Sequence, residues 1–598
     1  MILRRLIGIG LMIVLSFVPL LSESLRVHLW EGFRDYNTRY STDLPAGPVR
    51  KPLSARTLVI LVRGLRIEES RQLPTLNALR QNGADITVEL QAPTYRTPSW
   101  VTLATGAPAE THGVTTNSTA ASAAGVDSIF RRLSLAEQGA AIVGSSQWLD
   151  LYGPFLQRYE GNDEPASEAQ DDALVNSALE VLRDEQSSLQ LVMVELTALE
   201  PFTSPLSILP TVDSRINALV NTLDLKRDTV MVVSDRGRDE RGNDGGTEFD
   251  VMRAPMVLAG AGIRAGQKDV VAQIDIAPTL SVLTGAPFPV QSLGTPIFSA
   301  LDVALAAENI EISSNAIITS AIVQTQTIRM KSGVLVDSAR ELATYYEHWS
   351  EVTGRQRFAS DVLRRHQGRL ESGDLLGYQL FVAELRGRAN EERNTLLWGS
   401  RLIRLPMLVG GVLCLLALLG LATRVRFVLP LLGLGLFELA WLGWFTLWRR
   451  NDVSLSMFAG GDPTQFLANA GREMSILLLL ICVLTAVFVR NHDDVLEALS
   501  SIMGVLALVL CLNSAIVLWY YMLWGDPLVW ALPGARDVPI VQLALTQISA
   551  FTWRIFPGWP GIPVPLLVGL ITVPLYFLLR SGRRKNQVGQ SVVWQYRR

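Results

Sequence analysis

Five apolar runs fill most of the last third of the chain: Leu405–Ala422, Phe427–Leu447, Ile476–Val489, Ile502–Leu523 and Pro563–Leu579. A hydrocarbon layer holds no water to satisfy bare backbone, so runs of about 20 residues can cross it only as helices. This constraint makes the C-terminal part all-helical whatever the rest of the chain does. A further run, Leu6–Leu21, follows Arg4 and Arg5 and is succeeded by Ser-Glu-Ser-Leu rather than by a small-x-small cleavage site. It reads as a retained signal anchor. The whole-chain composition, 49% hydrophobic with 18% charged residues, averages two unlike regions, because residues 24–400 read as globular.

Basic residues set the expected topology. Arg4 and Arg5, the Arg424 and Arg426 pair, Arg490 and the tail Arg580–Lys585 all fall on one side if six segments cross and the globular part lies on the other. The positive-inside rule makes that side cytoplasmic, with Arg449 and Arg450 the exception. A multi-pass protein of the plasma (inner) membrane is expected, with both termini cytoplasmic and the globular part extracytoplasmic. Residues 538–556 carry Gln542, Gln547, Thr552 and Arg554 and read as an interfacial amphipathic helix. The net charge of −3 gives no basic surface for nucleic acid. Cys414, Cys482 and Cys511 all lie in apolar runs, so the globular part has no disulfide.

Between Arg56 and Gly285 apolar strands alternate with helical segments. Strands are expected at Thr57–Val62, Ala84–Leu90, Ala140–Val143, Leu189–Val194, Thr229–Val233 and Ala254–Leu258. Helices are expected at Leu73–Gly83, from Thr97, at Glu168–Glu185 and at Thr211–Leu223. The alternation predicts an α/β fold, a mostly parallel sheet sandwiched by helices. Residues 1–23 are then an anchor, 24–56 a linker, 57–300 the α/β domain and 301–401 a helical stalk or subdomain. Residues 402–585 form a transmembrane domain of about five helices, and 586–598 a tail. The mixed charges of Leu385–Arg401 suggest a solvated face.

Thr229–Val233 ends at Ser234-Asp235, and carboxylates at such strand ends are where open α/β sheets gather ligands. Asp235-Arg236-Gly237 is followed by Asp244-Gly245-Gly246. This frame resembles the Asp-His-Gly and His-Gly-Gly metal signature of the alkaline phosphatase superfamily, with both histidines replaced. LVILVRGLR (58–66), LPTLNALRQNGA (73–84), PTYRTPSWVTLATGAPAETHGV (93–114), APMVLAGAGIRAG (254–266) and IDIAPTLSVLTGAPFP (274–289) are similar to the superfamily's type I phosphodiesterase/nucleotide pyrophosphatase branch, which is sulfatase-like in fold.

The resemblance implies two metal ions, usually zinc, held by carboxylates and histidines, and a Thr or Ser nucleophile. Paired cations polarise phosphoryl oxygens and activate a nucleophile, and imidazole suits zinc. In this chain the matching positions hold Arg63 for the first-strand Asp, Glu200 and Ser204 for an Asp and a His, Asp235 retained, Arg236 for a His and Asp244 for the last His. The nucleophile position falls on Arg96, or on Thr97 with a one-residue slip; Thr94 and Ser99 lie near it. Of five histidines, His28, His112, His348, His366 and His492, only His112 lies in the α/β domain. It matches the family's His-Gly turn after the nucleophile helix. A His-rich dizinc centre is therefore not expected. An oxygen-ligated divalent metal on Glu200, Asp235 and Asp244 is the alternative.

Two uses of Arg63, Arg96 and Arg236 are open at this stage: an internal salt-bridge cluster, or a cradle for a phosphate-bearing anion. The expected function is that of a membrane-anchored pseudoenzyme, a binding or scaffold subunit of an envelope membrane complex. Its expected partners are membrane lipids and other membrane proteins. The alternative is an active phosphodiesterase or a phosphoethanolamine-type transferase, since the layout resembles that of GPI ethanolamine phosphate transferases. Apart from Glu438, which suits a helix–helix hydrogen bond, the spans carry almost no ionisable residues for transport.

Overall fold

The computed structural model describes residues 21–36, 44, 46–117, 126–161, 163–184, 188–200, 205–303, 332–354, 356–423, 428–448, 453–489, 495–524, 537–550, 552–553 and 562–563. The expected anchor at Leu6–Leu21 (but for Leu21), the run Pro563–Leu579 (but for Pro563), Ser204 and all the expected cytoplasmic clusters lie outside these residues. Residues 21–34 form a helix, α1, where a linker is expected from residue 24. The reason is packing: Trp30 and Phe33 are buried against C-terminal helices, which a free linker would not do.

The α/β alternation follows. β1 (Thr57–Val62) leads through α2 (Ile67–Ser70) and α3 (Pro74–Gln81) to β2 (Gly83–Glu89). α4 (Arg96–Thr105), α5 (Ala109–His112) and α6 (Ile129–Leu135) precede β3 (Gly139–Val143) and α7 (Ser146–Tyr152). Then come β4 (Arg158–Glu160), α8 (Glu168–Arg183), β5 (Leu189–Leu196), α9 (Pro205–Val220) and β6 (Thr229–Ser234). β7 (Arg253–Gly260), β8 (Gln267–Ala272) and α10 (Ile276–Thr284) close the domain.

One eight-stranded sheet has the order β4-β3-β5-β1-β6-β7-β2-β8. Its pairings are parallel except at β7, which runs antiparallel to β6 and to β2. The expected mostly parallel sheet is thus present. All six residues of β1 and of β6 are buried, as strands covered on both faces must be. Val59 and Leu61 face Trp100, Phe130, Trp148 and Leu280 of α4, α6, α7 and α10. Leu58, Ile60 and Val62 face Leu76, Leu174 and Ile216 of α3, α8 and α9. Each such side chain contributes about 1.5–3 kcal/mol on burial, so the two layers hold the central strands in register. The edge strands β4 and β8 carry no apolar run to announce them.

The chain continues in α11 (Ser332–Val352), α12 (Ala359–Glu371) and α13 (Leu375–Thr423). Of the two expected forms, a stalk or a subdomain, these helices take the packed one: Leu342, Phe381 and Leu385 share a core with Leu283 and Phe288 of the α/β domain. The face expected to be solvated between Leu385 and Arg401 is in part an interface. Leu385 is buried, Arg386 bonds Asp275 at 2.9 Å, and Arg393 pairs with Glu110. Beyond it lie α14 (Val428–Leu442), a π-helical turn at Gly443–Trp448, α15 (Thr464–Val489), α16 (Val495–Trp524) and α17 (Val538–Ser549). Among the described residues two helical segments, Leu375–Ala417 and Gly504–Trp524, are long and apolar enough to cross a membrane. Leu432–Leu447 and Val538–Ser549 are shorter apolar helices.

α17 corrects the expectation of an interfacial helix. Ten of its twelve residues are buried, because its polar groups turn inward. The Gln542 amide donates to the Arg26 carbonyl at 3.2 Å and the Gln547 amide to Glu438 at 3.4 Å. Glu438 is thus the helix–helix partner its position suggests.

Candidate functional site

Three neighbouring parallel strands deliver the site. In β5, β1 and β6 the register sets Leu61 beside Glu195 and Val62 beside Ser234, so Glu195, Arg63 and Asp235 emerge together at the carboxyl ends. The loop after β5 adds Glu200, the loop after β6 adds Arg236 and Asp244, and α4 presents Arg96 and Thr97 from its first turn. Arg63, Arg96, Asp235, Arg236 and Asp244 therefore meet around Glu200, while Thr97 stands beside Arg96 and bonds elsewhere.

What they form is a salt-bridge cluster. The Arg63 guanidinium donates to Glu195, to Glu200 at 2.6 Å and to the Ser145 hydroxyl at 3.1 Å. Arg236 donates to Asp235, to Asp244 and to Glu200 at 2.9 Å. Arg96 reaches Glu200 at 3.3 Å, and among the described residues its buried Nε has no partner. Arg63 and Arg96 also lie over the Trp100 ring, at 5.0 and 5.6 Å. Asp235 is held further by the Gly64 amide at 3.0 Å and the Trp100 indole N–H at 3.1 Å. Three cations face four carboxylates.

The proton affinities follow. Burial works against ionisation of Glu200, yet Arg236, Arg63 and Arg96 overcome it and hold its carboxyl at about 2. Burial likewise opposes charge on Arg236, and Asp235, Asp244 and Glu200 outweigh it and raise its pKa. Arg96 has the weakest support, and burial lowers its pKa.

These residues do not fit the pair of zinc ions that the resemblance implies. Asp235, Asp244 and Glu200, the oxygen donors left to a metal, all bond the Arg236 guanidinium. A fixed cation about 4 Å from a metal opposes it by several kcal/mol even at an effective dielectric near 20. Nor is Thr97 a prepared nucleophile. Its amide donates to Asn117 at 2.9 Å, and among the described residues its buried hydroxyl has no partner and so no base. Thr94 bonds the Gly245 amide and the Gly246 carbonyl, clamping the 244–246 loop to the start of α4. Arg238 pairs apart from the cluster, with Glu69 at 2.8 Å.

The sequence reading missed Glu195, Ser145 and Trp100. Glu195 had a signal: it is an acidic residue closing the apolar run LVMVEL, one position past the expected strand end. It missed Tyr95 too. The Tyr95 hydroxyl donates to the Leu455 carbonyl at 2.7 Å, so a loop between α14 and α15 sits on the rim of the site. Ser456 accepts from the Gly246 amide at 3.0 Å and donates to Glu248 at 2.9 Å on the same rim. Gly245 is required here. Its φ is +102°, and a Cβ would lie 2.1 Å from the Tyr95 ring. A cleft of about 320 Å³, lined by Glu110, Tyr346, Trp349, Arg386 and Arg393, lies elsewhere, between the α/β domain and the helices after it.

His112 ends α5 in full burial. Its Nδ1 accepts from the Val114 amide at 3.1 Å, so the proton of the neutral ring sits on Nε2, 3.0 Å from the Thr102 hydroxyl. Burial pushes the imidazole down to about 3. An unfolded imidazole titrates near 6.5, so below that pH the unfolded chain takes up a proton that the folded chain refuses. The contribution is whole above pH 6.5 and drains as pH falls toward 3. The unfolding midpoint should drop between pH 7 and 4.5, and less steeply in His112→Gln; equal slopes would count against it.

The family model described as type I phosphodiesterase/nucleotide pyrophosphatase matches residues 57–157, from β1 to the residue before β4. The matched segment carries β1 to β3 with the helices between them, so the similarity to the phosphodiesterase family covers the first part of the α/β domain. Solved structures with similarity include an alkaline phosphatase superfamily protein from Vibrio parahaemolyticus, 15% identical over 46% of this chain and 78% of that one, TM-score 0.34. Murine ectonucleotide pyrophosphatase/phosphodiesterase 5 in complex with AMP is 13% identical over 39% and 96%, TM-score 0.33. The phosphonate monoester hydrolase from Silicibacter pomeroyi is 13% identical over 41% and 76%, TM-score 0.32. No curated protein matches the sequence.

Proposed function

We propose that the α/β domain is a non-hydrolytic member of the phosphodiesterase fold, carried on the outer side of a membrane by a multi-pass helical domain. In this reading it serves as a binding or scaffold subunit of an envelope membrane complex. One observation carries the loss of chemistry: Arg236 bonds Asp235, Asp244 and Glu200 together, so the acceptors of a metal centre are spent on a guanidinium. The same geometry favours the salt-bridge use of the arginines over an anion cradle. Three guanidiniums against four carboxylates leave no positive surplus for a phosphate, and only Arg96 keeps an unused buried N–H. Lipid contact by the helical domain is supported by the outward apolar residues of α13, such as Leu402, Ile403 and Met407.

The test is metal content and turnover in the purified, detergent-solubilised chain. Hydrolysis of bis-p-nitrophenyl phosphate is measured with added Zn²⁺, Mn²⁺ and Mg²⁺. The proposal expects no stoichiometric metal and no turnover above buffer. Bound metal with turnover that Asp235→Ala abolishes would instead establish an active phosphodiesterase or transferase.

A further inference from the structure

α13 changes character at Arg401. Before it the helix is charged, and after it Leu402, Ile403 and Met407 point outward, 67%, 82% and 64% exposed. Arg401 and Arg404, three apart and so on one face, reach across to the C-terminal end of α16. The Arg401 Nε donates to the Leu523 carbonyl at 3.2 Å, and one Nη of Arg404 donates to the Tyr521 and Met522 carbonyls, each at 3.3 Å. Aromatic rings flank them. Arg401 lies 5.0 Å from Trp398 and 5.8 Å from Trp524, and Arg404 lies 5.9 Å from Tyr521. Trp and Tyr collect at the level where hydrocarbon meets headgroup.

Capping alone does not account for two arginines. A helix C-terminus carries roughly half a negative charge, so two guanidiniums leave about one and a half positive charges over. Among the described residues neither pairs with a carboxylate, and in sequence the two arginines flank the exposed Leu402 and Ile403. The nearby Asp537 carboxylate is taken up by the Trp524 indole N–H at 2.7 Å, and an anionic group at the level where hydrocarbon begins would balance the two arginines. We propose that Arg401 and Arg404 form a site for the phosphodiester headgroup of an anionic lipid, its acyl chains lying along Leu402, Ile403 and Met407. This rests on the membrane reading of the helical domain. Guanidinium forks suit phosphate oxygens, and the single negative charge of a phosphodiester offsets most of the surplus.

The full chain is reconstituted in nanodiscs of phosphatidylcholine mixed with phosphatidylglycerol, and in phosphatidylcholine alone. Lipid retained after detergent re-extraction is read by mass spectrometry. Phosphatidylglycerol should be enriched over the bulk mixture by about fivefold for each arginine. Arg401→Gln with Arg404→Gln should abolish the enrichment, and Arg401→Lys with Arg404→Lys should keep part of it while preserving charge at the α16 end. Insertion into both bilayers without enrichment would overturn the lipid site and leave the membrane reading intact. Failure to enter either bilayer would overturn both. Displacement of the lipid by millimolar inorganic phosphate would assign the site to free phosphate instead, against the proposal.

Discussion

Replacing Arg236 by Met should lower stability by about 3–5 kcal/mol, because the substitution strands carboxylates that the guanidinium now neutralises. Asp235 is fully buried, and Asp244 and Glu200 keep only 16% and 25% of their side-chain surface. With Arg236 gone, Asp235 and Asp244 lose their ion-pair partner and face each other with little solvent between them, while Glu200 keeps Arg63 and Arg96. At about 2–4 °C for each kcal/mol in a domain of this size, the unfolding midpoint should fall by roughly 10 °C. Arg96→Met is the comparator. Arg96 touches Glu200 only at 3.3 Å and is partly exposed, so about 1 kcal/mol or less is expected. The two losses differ because one cation is bonded by three carboxylates and the other leans on one. The Arg236→Met chain should also gain a response that the parent lacks. Its freed oxygens form a hard donor set, so millimolar Mn²⁺ or Mg²⁺ should recover part of the lost midpoint. Unchanged stability in Arg236→Met would show that the cluster is not structural. Stabilisation of the parent by the same ions would show that a cation site persists beside the guanidinium.

The fold was legible because its central strands state their burial in sequence. TLVILV and TVMVVS are apolar throughout, and only a strand covered on both faces asks for that. Arg63 and Asp235 directly follow the ends of those strands, while the places of Arg96, Glu200, Arg236 and Asp244 came from the spacing of the motif that the chain resembles. Their pairings could not be read from either. Whether a guanidinium meets a carboxylate or waits for an anion depends on the loops after β5 and β6 and on Glu195, the one acidic residue in β5. The edge strands were illegible for a different reason: β8 (QKDVVA) is half exposed and lacks a full apolar face. The helix at 21–34 and the inward turn of α17 failed together. Each carries polar residues that suit a surface when read alone, and only the fold shows them packed together, Trp30 and Phe33 in one cluster with α17 and Gln542 bonded to the Arg26 carbonyl.

Tyr95→Ala should be nearly as costly as Arg236→Met, for a reason that no local reading of the chain contains. The ring is fully buried in a cluster with Trp30, Phe33, Leu455 and Phe458, drawn from α1 and from the segment between α14 and α15. Its hydrogen-bond partner, Leu455, lies 360 residues away in sequence. Truncating a buried aromatic costs about 3–5 kcal/mol, and here it also opens space beside Gly245, whose close approach to the ring leaves the 244–246 loop dependent on it. Tyr95→Phe keeps the packing and loses only the bond to the Leu455 carbonyl, so about 1–3 kcal/mol is expected. The location of the damage separates an interdomain role from ordinary core packing. Tyr95 precedes Arg96 and sits where Ser456 and Thr94 hold the 244–246 loop, so the α/β site and the helical domain share this contact. In Tyr95→Ala, hydrogen exchange should rise at 94–97, at 244–248 and across 453–462, while β1 and β6 stay protected until global unfolding. A rise confined to α4, with 453–462 unchanged, would make Tyr95 a core residue of the α/β domain alone and would detach the site from the helices that carry it.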